Sequence, residues 1–145
     1  MARYWLCVCD EANWKIVRKT RLWGVSDRNR ALIQKTKIND VLVFYVKPKQ
    51  IAGTFRVVSE PFTSGENIFH SKESFRKETF PNRVRLRLMS VPKERAHFVE
   101  LVSRLSFVKN KAEWRAYIRR AMQLIPEQDY HVILSSITNA RSHDA

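Results

Sequence analysis

The chain has 145 residues, 44% of them hydrophobic and 11% aromatic, the make-up of one globular domain rather than of two or of a disordered chain. Its 27 Lys and Arg outnumber 14 Asp and Glu, and a net charge of +13 favours an anionic partner because a globule so charged repels itself on folding. No stretch reaches the roughly 18 apolar residues that a membrane-spanning helix needs, so no membrane partner is expected.

Tyr4 to Cys9 reads as a first strand, ending at Asp10, a good helix N-cap with Glu11 in the first turn after it. A helix through Trp14 and Val17 should fade near Thr20, and Leu22 to Val25 follows as a short extended piece. Ser26 or Asp27 then caps a second helix covering Ala31, Leu32 and Ile33. Asn39-Asp40 signals a turn before Val41 to Val46, an unbroken apolar run that predicts a strand buried on both faces. Lys47-Pro48-Lys49 breaks the run, and Ile51 to Ser59, with Gly53 inside, is its expected hairpin partner. Pro61 to Pro81 is polar and irregular, a long loop expected to hold a short helix. Val84, Leu86 and Leu88 alternate with Arg83, Arg85 and Arg87 at the period of a strand.

The last third reads as helical. Phe98, Leu101, Val102 and Leu105 make one helical stripe after Pro92, and Trp114, Tyr117, Ile118, Ala121 and Met122 make a second amphipathic segment. Pro126 opens a short final segment. The polar tail starts at Asn139, so the expectation is one α+β domain over residues 1–138 and a tail over 139–145.

Residue chemistry gives little support to catalysis. His70, His97, His131 and His143 are scattered, and a chain with three glycines has no Gly-rich phosphate loop. Cys7 and Cys9, two apart on a strand, are poorly placed for a disulfide, and no second pair completes a zinc site. Cys7 as a nucleophile would need a histidine partner, and a small apolar residue on a core strand is the plainer reading. Met1 to Asp10 lacks the apolar core of a signal peptide, so the expected setting is reducing and cytoplasmic. No catalytic residue, metal or cofactor is expected.

The basic and aromatic residues are better organised. Arg83, Arg85 and Arg87 line one face of a strand about 6 to 7 Å apart, near the spacing of successive phosphates. Lys111, Arg115 and Arg119 fall at i, i+4 and i+8, a ridge on one side of the Trp114 helix. Both rows are candidate phosphate contacts, against the ordinary reading of a solvated face. Trp23 stands before Gly24, where backbone could come close to a ligand, and before the polar run Ser26-Asp27-Arg28-Asn29. An aromatic wall beside hydrogen-bonding groups suits a flat nucleobase, although most aromatics of a small domain are core.

Several segments together resemble EVE-domain proteins. They are Tyr4-Trp5-Leu6-Cys7-Val8, Trp23-Gly24-Val25-Ser26, Asp40 to Tyr45, Ile51-Ala52-Gly53 and Val57 to Phe62. The likeness continues through Phe107-Val108-Lys109-Asn110-Lys111, Trp114, Arg120-Ala121-Met122 and Ile125-Pro126, over nearly the whole chain. The resemblance implies a PUA-like fold, a small curved β-barrel with flanking helices, similar to the YTH domain that cages a methylated adenine. It further implies a base pocket of Trp23, Gly24, Val25, Ser26 and Asn29, with Trp5, Asn110 and Arg120 near the barrel mouth. Trp14 fits helix core better than a second cage wall. Cys9-Asp10-Glu11-Ala12 and Trp23-Gly24-Val25-Ser26 depart from the commonest family stretches and set this chain in a separate branch.

The expected function is a non-enzymatic module that docks DNA or RNA on its basic rows and holds one base, modified, against Trp23. One alternative is a PUA-like RNA-binding protein, a tRNA or rRNA accessory indifferent to modification. The other is an enzyme acting on nucleic acid or a nucleotide.

Overall fold

The computed structural model describes residues 2–71 and 78–143, the last five of these as backbone. The elements are β1 (Tyr4–Cys9), α1 (Glu11–Thr20), β2 (Leu22–Val25), α2 (Arg30–Ile33), β3 (Val41–Val46), β4 (Gln50–Val57) and β5 (Phe62–Thr63). They continue with β6 (Asn82–Ser90), β7 (Ala96–His97), α3 (Phe98–Leu101), β8 (Met122–Ile125) and α4 (Glu127–His143). The strands form one sheet of order β2-β6-β4-β3-β1-β8, with β5 beside β6 and β7 beside β4. β1 and β3 are parallel, joined by the crossover through α1, β2 and α2, while β3 and β4 form the expected hairpin.

The unbroken apolar run at β3 has the cause its sequence suggested. Leu42, Phe44 and Val46 join one core cluster with Trp5, Trp14, Phe55 and Val84. Val41, Val43 and Tyr45 join a second with Leu6, Phe98, Leu105 and Ile133, so both faces of the strand are dry. Trp14 is core. Its ring meets Phe44 at 5.3 Å and Phe55 at 5.8 Å, pairs worth about 0.5–1.5 kcal/mol each beyond their area.

Register shifts on β4, opposite Phe44/Tyr45 and at Thr54/Phe55, place bulges on both of its edges. Bulges bend strands and increase twist, and the mixed sheet curls into a half-barrel with helices around it, the α+β architecture expected. Gly53 lies at this bend because a Cβ there would stand 2.7 Å from the Ser90 carbonyl and 3.0 Å from the Trp14 ring.

The last third corrects the helical reading. Phe98, Leu101, Val102 and Leu105 are all buried, but on the single turn of α3 and a 3₁₀ turn at Val102–Arg104. The chain leaves the helix because the buried Asp129 carboxylate takes Ser106 N–H at 2.8 Å, its hydroxyl at 2.9 Å and Phe107 N–H at 2.9 Å. Trp114–Ile118 is a 3₁₀ turn, and Met122 starts a strand, not a helix end, because β8 pairs antiparallel with β1. The final segment is not short but a helix of 17 residues, Glu127–His143. The described legs of the Pro61–Pro81 segment carry β5 and no helix; the short helix expected there otherwise falls outside the described residues.

Candidate functional site

Three pieces of chain enclose the main cavity, about 540 Å³ in volume. The first is the start of α1 and the end of β2. Asp10 caps α1 by accepting Asn13 N–H at 2.8 Å, and Arg21, at φ 60°, ends it with a bond to the Val17 carbonyl. That stop turns the chain directly into β2, which pairs with β6 and delivers Trp23 and Gly24 to the cavity. Ser26 and Asn29 follow in a tight turn, Asn29 N–H bonding the Ser26 carbonyl at 3.0 Å and Asn29 Nδ2 its hydroxyl at 3.4 Å. Asn82 Nδ2 donates to Asp27 Oδ1 at 2.9 Å and holds this turn to β6.

The second piece comprises Phe69, His70, Ser71, Glu78 and Phe80, from the two described legs of the loop after β5. Phe69 and Phe80 meet edge to face at 6.0 Å. The third is the barrel end, where Val8, Cys9 and Lys47 meet Arg119, Arg120 and Ala121. Val8 N–H bonds the Ala121 carbonyl at 2.9 Å and Lys47 N–H the Cys9 carbonyl at 3.0 Å, fixing this corner.

The cavity is lined by buried or half-buried aromatic rings and by exposed cations. Trp23 is 4% exposed, its ring is edge-on to Phe44 at 5.3 Å, and its indole N–H has no partner among the described residues. Arg28, Lys47, Arg119 and Arg120 are exposed and form no ion pair among the described residues, against the carboxylates of Asp10 and Glu78. Burial, then the charges of Asp10 and Glu11, push the Cys9 thiol up to about 12, so it is a protonated wall and no nucleophile at neutral pH. Cys7 is fully buried, and burial, then the charge of Cys9, raises its thiol well above the ordinary value. Among the described residues no three His, Cys, Asp or Glu side chains group as a metal site would require.

Of the residues expected at a base pocket, the structure brings together Trp23, Gly24, Ser26, Asn29 and Arg120. Three others lie elsewhere. Trp5 is fully buried and donates its indole N–H to Asp40 Oδ2 at 3.1 Å, and Val25 is fully buried in the core. Asn110 is exposed on a turn, its N–H on the Tyr117 hydroxyl at 3.1 Å, away from the cavity. The glycine at 24 serves the wall rather than a ligand. A Cβ there would meet the Phe80 carbonyl at 2.6 Å and the Phe69 ring at 2.9 Å. Sequence reasoning missed Asn13, Phe69 and Phe80; the signal available was the recurrence of phenylalanine, at 62, 69, 75 and 80, in an otherwise polar segment.

The EVE domain model matches residues 3–136. The chain belongs to the EVE domain family. A UPF0310 protein of Pyrococcus abyssi is 39% identical over 142 residues, covering 91% of this chain and 97% of that one. A UPF0310 protein of Pyrococcus horikoshii is 30% identical over 141 residues, covering 90% and 95%. Among solved structures, a hypothetical protein from Leishmania major superposes with TM-score 0.66 at 18% identity, covering 100% of this chain and 98% of that one. The YTH domain-containing protein mmi1, in a complex with RNA, gives TM-score 0.67 at 15% identity, covering 99% and 85%. At such identities the likeness shows a shared fold.

In this EVE domain the two expected basic rows do not survive as rows. Arg83 is fully buried, its guanidinium on the carbonyls of Phe80, Glu66 and Thr79 at 3.0, 2.5 and 2.9 Å, so it offers nothing to a phosphate. Burial lowers its pKa from the ordinary arginine value, with the charge of Glu66 acting the other way. Its outward neighbours Arg85 and Arg87 are exposed, Arg85 lying over the Phe62 ring at 5.1 Å. Lys111, Arg115 and Arg119 lose their common ridge because no α-helix forms there. Lys111 Nζ donates to the Leu105 carbonyl at 2.7 Å, Arg115 covers the Trp114 ring at 4.5 Å, and Arg119 alone of the three reaches the cavity.

Proposed function

We propose that this EVE domain is a non-catalytic nucleic-acid-binding module that takes one base, modified, into the Trp23 cavity. The observation that carries the reading is an aromatic-lined cavity of about 540 Å³, within the usual range for small-ligand sites, edged by exposed cations that form no ion pair among the described residues. A base would lie against Trp23 in a cavity that Phe69 and Phe80 also line, while Ser26, Asn29 and Asn13 offer groups to its edge. Arg28, Lys47, Arg119 and Arg120 would take the flanking phosphates, a role that moves to the cavity rim from the rows along the chain. The mmi1 YTH domain in its RNA complex has the same fold, which supports RNA as the polymer.

The test is a titration with short single-stranded RNAs and DNAs that differ at one central position. That position carries an ordinary base, a methylated adenine, another modified base or no base. A base held on an aromatic wall is worth about 1–3 kcal/mol, so the preferred oligomer should bind roughly tenfold or more tightly than the abasic one. Equal affinity for all would refute base capture and leave the modification-indifferent RNA accessory, which the exposed Arg85 and Arg87 outside the cavity favour. A recovered nucleoside that had been chemically converted would establish an enzyme instead.

A further inference from the structure

The described legs of the loop that forms the second wall of the cavity are held by two polar side chains, of which Arg83 is buried. Asn13, on α1, bonds the backbone of His70 twice, Nδ2 donating to its carbonyl at 3.0 Å and Oδ1 accepting its N–H at 2.7 Å. Arg83, on β6, reaches both legs, taking the Glu66 carbonyl from one and the Thr79 and Phe80 carbonyls from the other. Its guanidinium also covers the Phe69 ring at 5.2 Å, and Nη1 has no partner among the described residues. Gly24 stands directly across from Arg83 on β2, and the absence of a side chain there leaves room for the Arg83 stem, Phe69 and the Phe80 carbonyl.

Apolar contact alone would not give this wall a unique position. Phe80 is only partly buried and sits at φ 50°, a conformation unfavourable to an L side chain that something must hold in place. Arginine fits the task because its rigid planar fork spans several carbonyls at once, where a lysine offers one point donor. A buried cation hydrogen-bonded to backbone oxygens is costly to remove piecemeal, so Arg83 fixes the two described legs relative to β6.

We infer that Arg83 is a positioning residue for base selectivity: from outside the cavity it fixes Phe69 and Phe80 against Trp23, with Asn13 as the second tether. The inference rests on the base-capture reading above. It assigns selectivity to an arginine that touches neither base nor phosphate.

The experiment compares the full chain with Arg83→Lys and Arg83→Met, using the same oligomer panel and its abasic member. The variants should bind abasic RNA as the unaltered protein does, with the same salt dependence, while the preference for the base-bearing oligomer falls by about tenfold, the loss of one aromatic contact. Amide hydrogen exchange provides a measurement without any ligand. Exchange at His70 and Phe80 should accelerate in both variants while the amides of β3 keep their protection, whereas a general loss of stability would speed all of them. Unchanged loop exchange, or an unchanged preference in variants whose loop exchange has risen, would overturn the role of Arg83. An unaltered protein that shows no base preference would overturn base capture itself and this inference with it, an outcome visible before any variant is made.

Discussion

Trp23 is the side chain on which the cavity and the core meet, and two substitutions there make different demands on the structure. The indole is 4% exposed and packs edge-on against Phe44, so Trp23→Ala removes a large buried ring and should cost about 3–5 kcal/mol of folding stability. Trp23→Phe removes only part of the ring and also a buried N–H that has no partner among the described residues. The lost packing, of order 1–2 kcal/mol, is offset by relief of an unsatisfied donor worth about 1–3 kcal/mol, so the phenylalanine variant should stay within about 1 kcal/mol of the parent. Chemical denaturation followed by far-ultraviolet circular dichroism measures both, with the transition slope checking that the unfolded reference is unchanged. A phenylalanine variant as unstable as the alanine one would refute the reasoning, because it would mean the indole N–H is satisfied. On binding, the phenylalanine variant should keep part of the base preference and all of the salt dependence, since a smaller ring still stacks and no phosphate contact is lost.

Other consequences are open to direct measurement. Gly24→Ala puts a Cβ 2.6 Å from the Phe80 carbonyl, and thermal unfolding should show a loss of about 1–3 kcal/mol together with a weaker base preference. Replacing Arg119 and Arg120 together with glutamine should flatten the slope of log affinity against log salt by about 1.4 on single strands if each meets one phosphate, and an unchanged slope would remove them from the interface. Cys7 and Cys9 hold their protons more tightly folded than unfolded. Their contribution is therefore intact below pH 9, and that of Cys9 is lost as pH rises toward about 12, so thermal stability should fall over that window, and less steeply in the Cys9→Ala variant. A thiol reagent at neutral pH should modify neither cysteine before denaturant is added; rapid modification of the native protein would contradict their burial.

The amino-acid sequence by itself determined the elements whose signals are local. Asp10 capping α1, the doubly buried β3 and its hairpin with β4 all follow from side-chain type and period. The approach of Trp23 to the polar pair Ser26 and Asn29 was legible for the same reason, because these residues are within one short stretch of chain. What only the tertiary structure decided involves partners far apart in sequence. Met122 to Ile125 is apolar at both helical and strand-compatible positions, and it became β8 because it pairs antiparallel with the edge of β1, more than a hundred residues away in the chain. Arg83, Arg85 and Arg87 alternate perfectly, yet a period of two gives the face and not what covers it. The described legs of the loop after β5, at Glu66 and at Thr79 and Phe80, bond Arg83 through their carbonyls, so that arginine is buried while Arg85 and Arg87 remain exposed.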